Sequence, residues 1–169
     1  MNAVIPRSRA LLASAAVVAL DQLSKAVVLA QLSPGQRINV LPFFDWTLVF
    51  NPGAAFSFLA QASGWQRWFF LALAAAVSLW CWWALGRERD GRVRLALVLI
   101  LAGAVGNAID RLWLGQVVDF ILLYWAPWNF YYPAFNIADS AITLGAVLLV
   151  WAALWPRDNV SASRRSDLA

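Results

Sequence analysis

The 169-residue sequence predicts an all-α polytopic membrane protein: four transmembrane helices with a small outer-face β-sheet and a short interfacial helix. Three observations predict it. The apolar set AVILMFWYC makes up 62% of the chain and mean hydropathy is +0.65, whereas soluble domains sit near about 45–50% apolar. At this length no soluble core hides that much apolar surface, because small domains leave a large share of it in solvent. Four stretches reach the ~20 mostly apolar residues that a membrane-crossing helix needs, and the basic residues gather on one side of them.

The spans are 10–32, 68–85, 95–114 and 137–155. The second continues outward through Trp65, and Pro156 stops the fourth. The first contains Asp21, Gln22, Ser24 and Lys25. Arg7 and Arg9 followed by apolar residues 11–20 imitate a secretory signal. The apolar pattern resumes after Lys25 and reaches spanning length, so a retained span is expected. Segments 38–44 and 46–50, bounded by Pro34-Gly35 and Pro52-Gly53, predict a hairpin or small sheet. Segment 54–62 predicts the interfacial helix and 117–123 another strand. Residues 1–156 thus form a single membrane-embedded domain, and 157–169 a polar cytoplasmic tail.

Cytoplasmic loops carry an excess of Lys and Arg. Nine of the 13 basic residues lie at the N-terminus (Arg7, Arg9), between spans two and three (Arg87, Arg89, Arg92, Arg94) and in the tail (Arg157, Arg164, Arg165). Both termini are therefore expected inside and both long loops outside. Tryptophans agree, since they collect at membrane interfaces: Trp65, Trp68 and Trp113 at outer ends, Trp80, Trp82, Trp83, Trp151 and Trp155 at inner ends. This placement accounts for the net charge of +4 without nucleic acid. The chain has no His and one cysteine, Cys81 in a tryptophan-rich run. His-based catalysis, a His-ligated metal and an internal disulfide are excluded, and Cys81 is expected to pack.

Ionisable residues inside a bilayer are expensive and mark function by default. Here they are Asp21 and Lys25 in span one, Asp110 and Arg111 in span three, and Asp139 at the start of span four, with Asp119 close behind span three. At ~1.5 Å per residue, Asp21 lies near the middle of its span and Lys25 about 6 Å further out on the same face. The others fall in the outer half, which predicts one polar site near the outer surface. Asn107, Asp110 and Arg111 share a helix face, as do Asn136 and Asp139. On a strand, Asp119 faces opposite to Val118 and Phe120. Two close carboxylates share one proton, which suits acid–base peptide hydrolysis. A small proton-coupled transporter or channel uses the same residue types, and composition does not separate the two.

The motifs do. Asp-Gln-Leu-Ser-Lys (21–25), Asn-Pro-Gly-Ala-Ala-Phe-Ser (51–57), Gly-Asn-Ala-Ile-Asp-Arg (106–111), Val-Val-Asp-Phe (117–120) and Phe-Asn-Ile-Ala-Asp-Ser (135–140) occur in the order seen in bacterial lipoprotein signal peptidases. The chain resembles this family, the signal peptidase II enzymes, integral-membrane aspartic peptidases, over residues 10–155. The resemblance implies that Asp119 and Asp139 are the catalytic aspartates and that no cofactor or metal is used. It implies a diacylglyceryl-modified prolipoprotein substrate cleaved before its lipidated cysteine, an outer-face β-cradle, the bacterial inner membrane, and inhibition by globomycin. On this reading Asn51, Asn107, Asn136 and Arg111 position substrate or dyad, and Asp110 orients Arg111. Asp21 and Lys25 support the site from span one, and Gly53 and Ala54 let the outer loop approach the substrate. A Ser–Lys peptidase is the rival enzyme, but Ser24 and Lys25 are adjacent on a helix and point ~100° apart.

Overall fold

In the computed structural model, which describes residues 6–53 and 64–156, each helix starts and stops at a recognisable local signal. α1 (Arg7–Gln31) begins after Pro6, whose fixed φ suits a helix start, and ends before an extended Leu32. α2 (Trp65–Leu85) lies between Gly64 and Gly86. α3 (Gly91–Leu114) is capped by Asp90, which accepts from the Arg92 amide at 2.8 Å, and stops at the left-handed Gly115. α4 (Ile137–Leu154) opens with a reciprocal capping box: Asn136 Oδ1 accepts from the Asp139 amide, and Asp139 Oδ2 from the Asn136 amide.

These are the four expected spans, with shifted ends. α3 begins four residues before the span at 95–114, because Asp90 caps a turn whose Arg92 and Arg94 are too polar to register as apolar. α2 starts at Trp65, and α4 ends at Leu154. Many large apolar side chains face outward, among them Leu23, Trp68, Leu79 and Val147. Water would penalise that surface and lipid does not. Eleven residues of α3 are buried, against five in α1, three in α2 and four in α4, so α3 is the central helix.

The sheet is antiparallel, in the order β1 (Arg37–Leu41), β2 (Phe44–Asn51), β3 (Val117–Trp125), β4 (Phe130–Tyr131). The segments expected at 38–44 and 46–50 are joined by a turn at Pro42-Phe43, which cuts the first short, and Phe44 opens the second strand. Pro42 fixes φ for a turn and has no amide to offer a ladder, while Asp45 stays in β2 and accepts from Asn39 Nδ2 at 2.9 Å. β3 runs two residues past 123, and β4, which the sequence reading lacked, follows a 3-10 turn through Ala126–Trp128. The expected interfacial helix at 54–62 and the polar tail at 157–169 lie outside the described residues.

The sheet packs Leu48, Val118 and Phe120 onto Val28 and Leu32 at the end of α1. A second apolar cluster joins Ala10, Leu85, Leu97 and Leu101 and takes in Cys81, in the packing role expected of it. α3 and α4 touch through glycines. A Cβ on Gly103 would strike the Ala138 carbonyl, and one on Gly145 would meet Ile100 Cγ1 at 2.7 Å and the Ala96 carbonyl at 2.8 Å.

Gly145→Val should therefore lower the thermal midpoint by several degrees, since overpacking costs about 1–3 kcal/mol. Gly91→Ala, with nothing within 4 Å of the added methyl, should leave it unchanged or slightly raised. Scanning fluorimetry on the purified variants separates the two; equal midpoints would mean that the α3–α4 contact has slack.

Candidate active site

A buried strand position, an α-helix start and a polar helix face converge at one end of the bundle. Asp119 on β3 is 1% exposed, with Val118 and Phe120 turned the other way into the apolar cluster, as the strand reading required. Its two oxygens are held by amides: Asn51 Nδ2 donates to Oδ2 at 2.9 Å and Asn136 Nδ2 to Oδ1 at 2.8 Å. Asn51 reaches it diagonally across the ladder, where Val49 pairs with Asp119 and Asn51 with Val117. Asn136 arrives because Phe135 and Ile121 exchange backbone bonds at 3.0 and 2.8 Å, which lays the chain before α4 along β3.

Asp139 sits in the first turn of α4, half-buried. Its Oδ1 accepts from Asn107 Nδ2 at 2.7 Å and its Oδ2 from the Asn136 amide at 3.2 Å. Asn136 thus touches both carboxyl groups. Among the described residues neither carboxylate is in an ion pair. Burial pushes the Asp119 carboxyl up from 3.8 to about 7. The charge of Asp139 contributes to that rise, and the bonds from Asn51 and Asn136 and the more distant Lys25 limit it.

Behind this pair lies a buried ion cluster. Lys25 Nζ is 2.8 Å from Asp21 Oδ2 and 2.8 Å from Asp110 Oδ2. Its third bond goes to Asn107 Oδ1 at 3.1 Å. Lysine only donates, so Asn107 must present its oxygen to Lys25 and its NH₂ to Asp139. Asp21 also accepts from the Ala138 amide at 2.9 Å, and Asp110 from the Val118 amide at 3.1 Å. The cluster therefore ties α1 to α3, to the first turn of α4 and to β3. Gly106 makes room for it: a Cβ there would stand 2.7 Å from Asp21 Oδ2.

The structure brings together Asp21, Lys25, Asn51, Asn107, Asp110, Asp119, Asn136 and Asp139. One expectation is corrected: Asp110 does not orient Arg111. Successive helix positions diverge by ~100°, so Asp110 turns to Lys25 while Arg111 donates to the Asn107 carbonyl at 3.3 Å and lies over the Phe70 ring at 4.7 Å. Gly53 has φ +107, and a side chain there would run into Phe70, which explains its glycine. Its amide donates to Asn51 Oδ1 at 2.8 Å and so aims the Asn51 NH₂ at Asp119. Ala54 lies outside the described residues. Gln22 was noted from the sequence as a polar residue of the first span but given no role. It donates to Asp21 at 3.2 Å, the Gly106 carbonyl at 3.1 Å and Asp110 at 2.9 Å. The signal was present, since a glutamine between Asp21 and Lys25 within an apolar span needs partners.

Asp139 borders two apolar grooves. One, about 300 Å³, runs between α2, α3 and α4 past Phe70, Leu73 and Arg111. The other, about 470 Å³, lies under Leu123, Tyr132 and Phe135. A half-buried carboxylate beside a buried one, with apolar grooves leading to it, is the geometry that acid–base hydrolysis inside a membrane requires.

The comparisons carry this to a family. The family model described as Signal peptidase (SPase) II matches residues 13–155. A lipoprotein signal peptidase of Polynucleobacter necessarius is 54% identical over 139 residues, 82% of this chain and 84% of that one. That of Neisseria meningitidis serogroup C is 50% identical over 151 residues, 88% of this chain and 91% of that one. A solved bacterial membrane enzyme, determined by the in meso method at 1.9 Å resolution, superposes with a TM-score of 0.78 at 31% identity, covering 89% of this chain and 95% of that one. The chain belongs to the signal peptidase II family and is a peptidase.

Lys25→Met should cost about 3–5 kcal/mol, because it strands two buried carboxylates. Detergent-solubilised protein should drop sharply in yield and thermal midpoint. A variant of normal stability would show that the ion cluster does not hold the fold.

Proposed function

We propose that the chain cleaves diacylglyceryl-modified prolipoproteins immediately before the lipidated cysteine, using water activated between Asp119 and Asp139. Membership of the signal peptidase II family makes the reaction signal-peptide removal from prolipoproteins. The observation that supports the dyad is the pair of carboxyl groups held around Asn136 by neutral amides, one of them with its acidity pushed to about 7.

With one proton between the two groups, the ionised carboxylate takes a proton from water as the oxygen attacks the scissile carbonyl carbon. The protonated carboxyl gives its proton to the carbonyl oxygen. A proton then passes to the cysteine nitrogen, the C–N bond breaks, and the products are a free signal peptide and an N-terminal lipidated cysteine. Asn51, Asn107 and Asn136 hold the carboxyl groups. Arg111, which lines the groove, and the backbone at Gly53 position the substrate chain, while Asp21, Lys25 and Asp110 keep the frame in place. The diacylglyceryl chains lie along apolar faces open to lipid. We place both termini in the cytoplasm of a bacterium and the carboxylates near the outer leaflet of its inner membrane, because Arg7, Arg87, Arg89, Arg92 and Arg94 gather at the opposite end of the bundle.

In a gel-shift assay, wild type should cleave a diacylglyceryl prolipoprotein and spare its unmodified twin, with globomycin blocking the reaction. Asp119→Asn and Asp139→Asn should each lose at least about 10²–10⁴-fold in rate, the usual contribution of a positioned acid or base, while keeping the wild-type thermal midpoint. Near-normal cleavage by either variant would rule out the dyad.

The pH profile tests the shared proton. The one-proton form is active, so kcat/KM should fall as pH rises through about 7 and Asp119 loses its proton. Asn51→Ala removes a bond that favours ionised Asp119, so its alkaline limb should move to higher pH. A profile flat from about pH 6 to 9 would remove Asp119 from proton transfer.

A further inference from the structure

At the end of the bundle opposite the carboxylates lies a polar cavity of about 670 Å³, larger than either groove at Asp139. Arg7 from α1, Arg87 and Arg89 from the link after α2, and Arg94 from α3 line it, with Glu88 as the one acid. Glu88 Oε1 is taken up by the amides of Arg89 and Asp90, both at 2.7 Å. Among the described residues none of the four arginines forms an ion pair. The nearby Asp90 carboxylate pairs with Arg92 at 2.7 Å.

Some of this charge serves α2. Its last carbonyls carry the negative end of the helix dipole, and Arg94 Nη1 donates to the Leu85 and Glu88 carbonyls at 2.7 and 2.9 Å while Arg7 Nη2 donates to the Trp82 carbonyl at 2.7 Å. Capping leaves a remainder. Arg94 is 4% exposed, yet its Nε and Nη2 are buried without partners, as is Arg7 Nε. Buried donors without acceptors are costly, and a guanidinium offers them in a fork that fits two phosphate oxygens. Arg7 lies over the Trp82 ring at 3.9 Å and Arg87 over the Trp83 ring at 4.1 Å. Tryptophans of that kind sit at headgroup depth.

We propose that this cavity is a binding site for a phosphate group, with Arg94 as its buried floor and Arg7, Arg87 and Arg89 closing around it. The same chemistry serves the headgroup of an anionic phospholipid and a free phosphate ester. The site is separate from peptide cleavage and does not depend on the assignment of the dyad.

The test uses the full chain in detergent, stripped of lipid, with retained ligand read by native mass spectrometry. Phosphatidylglycerol is titrated in one arm and inorganic phosphate in another. Saturable binding of either is the expected result. Displacement of the lipid by millimolar phosphate would assign the site to free phosphate; lipid binding that phosphate does not displace would assign it to the headgroup. Arg87→Gln and Arg89→Gln should each weaken binding about fivefold. Arg9→Gln, an equal loss of charge outside the cavity, should change it by less than about twofold. Arg94→Met should abolish binding, and if that variant fails to fold, the exposed arginine pair still decides. Absence of saturable binding by both probes overturns the proposal. So does an Arg9→Gln effect as large as that of Arg87→Gln, which would reduce the cavity to general surface charge. Cleavage of prolipoprotein should be unchanged in the Arg87→Gln and Arg89→Gln variants.

Discussion

Everything at the carboxylate end depends on holding a buried carboxyl, Asp119, and a half-buried one, Asp139, around one asparagine without pairing either with a cation. A cation bonded directly to Asp119 would settle the problem of burial but hold the carboxyl permanently ionised, which the proposed sharing of a proton forbids. Neutral amides solve both. Asn51, Asn107 and Asn136 supply four of the bonds that the two carboxylates receive, and none brings a charge. Each amide is also prevented from flipping by a partner on its far side. The Gly53 amide faces the Asn51 oxygen, Lys25 the Asn107 oxygen, and the Asp139 amide the Asn136 oxygen. Lys25 therefore acts one amide away from Asp139, close enough to orient Asn107 and too far to pair with either carboxylate.

The buried ions behind the amides explain how such a site survives in a small membrane protein. Asp21, Lys25 and Asp110 carry a net negative charge inside the bundle, which alone would be prohibitive. The surplus is absorbed by backbone. Asp21 accepts from Ala138 at the positive end of the α4 dipole, and Asp110 accepts from Val118 where β3 leaves α3. The same two bonds fix the starts of the two elements that carry Asp139 and Asp119. Stability and site geometry are thus set by one network, and the expected damage from a substitution at Lys25 is to the fold before the chemistry.

Much of this was legible in the sequence, because a bilayer makes polarity informative. Asp21 and Lys25 in an apolar span, and Asn136 three residues before Asp139, identify their own partners by helical spacing. The alternation around Asp119 placed it opposite Val118 and Phe120, and the structure agrees. What was not legible depended on direction within a turn of helix or on contacts distant in sequence. Asp110 was expected to orient Arg111, yet adjacency on a helix separates side chains, and Asp110 turns to α1. β4 is two residues long and exists by pairing with the end of β3, with Tyr124 and Tyr131 stacked at 5.6 Å, so no local pattern announces it. Pro42 does carry a local turn signal, and the segment expected at 38–44 ran through it.

The distribution of packing suggests why the chemistry sits where it does. Asn107 stands on the border: its oxygen is sealed against Lys25, and its NH₂ meets a carboxylate that borders two grooves. On the sealed side, α1, α3 and β3 are joined by ions and hydrogen bonds that tolerate little movement. On the open side, α2 buries only Gln66, Cys81 and Leu85, and Phe70 and Leu73 line a groove against α3 rather than filling it. The proposed substrate carries acyl chains, and the proposed reaction needs a path for them from lipid to Asp139. The groove between α2 and α3 opens Asp139 toward the lipid face, while the buried ions that tie α1 to α3 take no partner from α2 among the described residues.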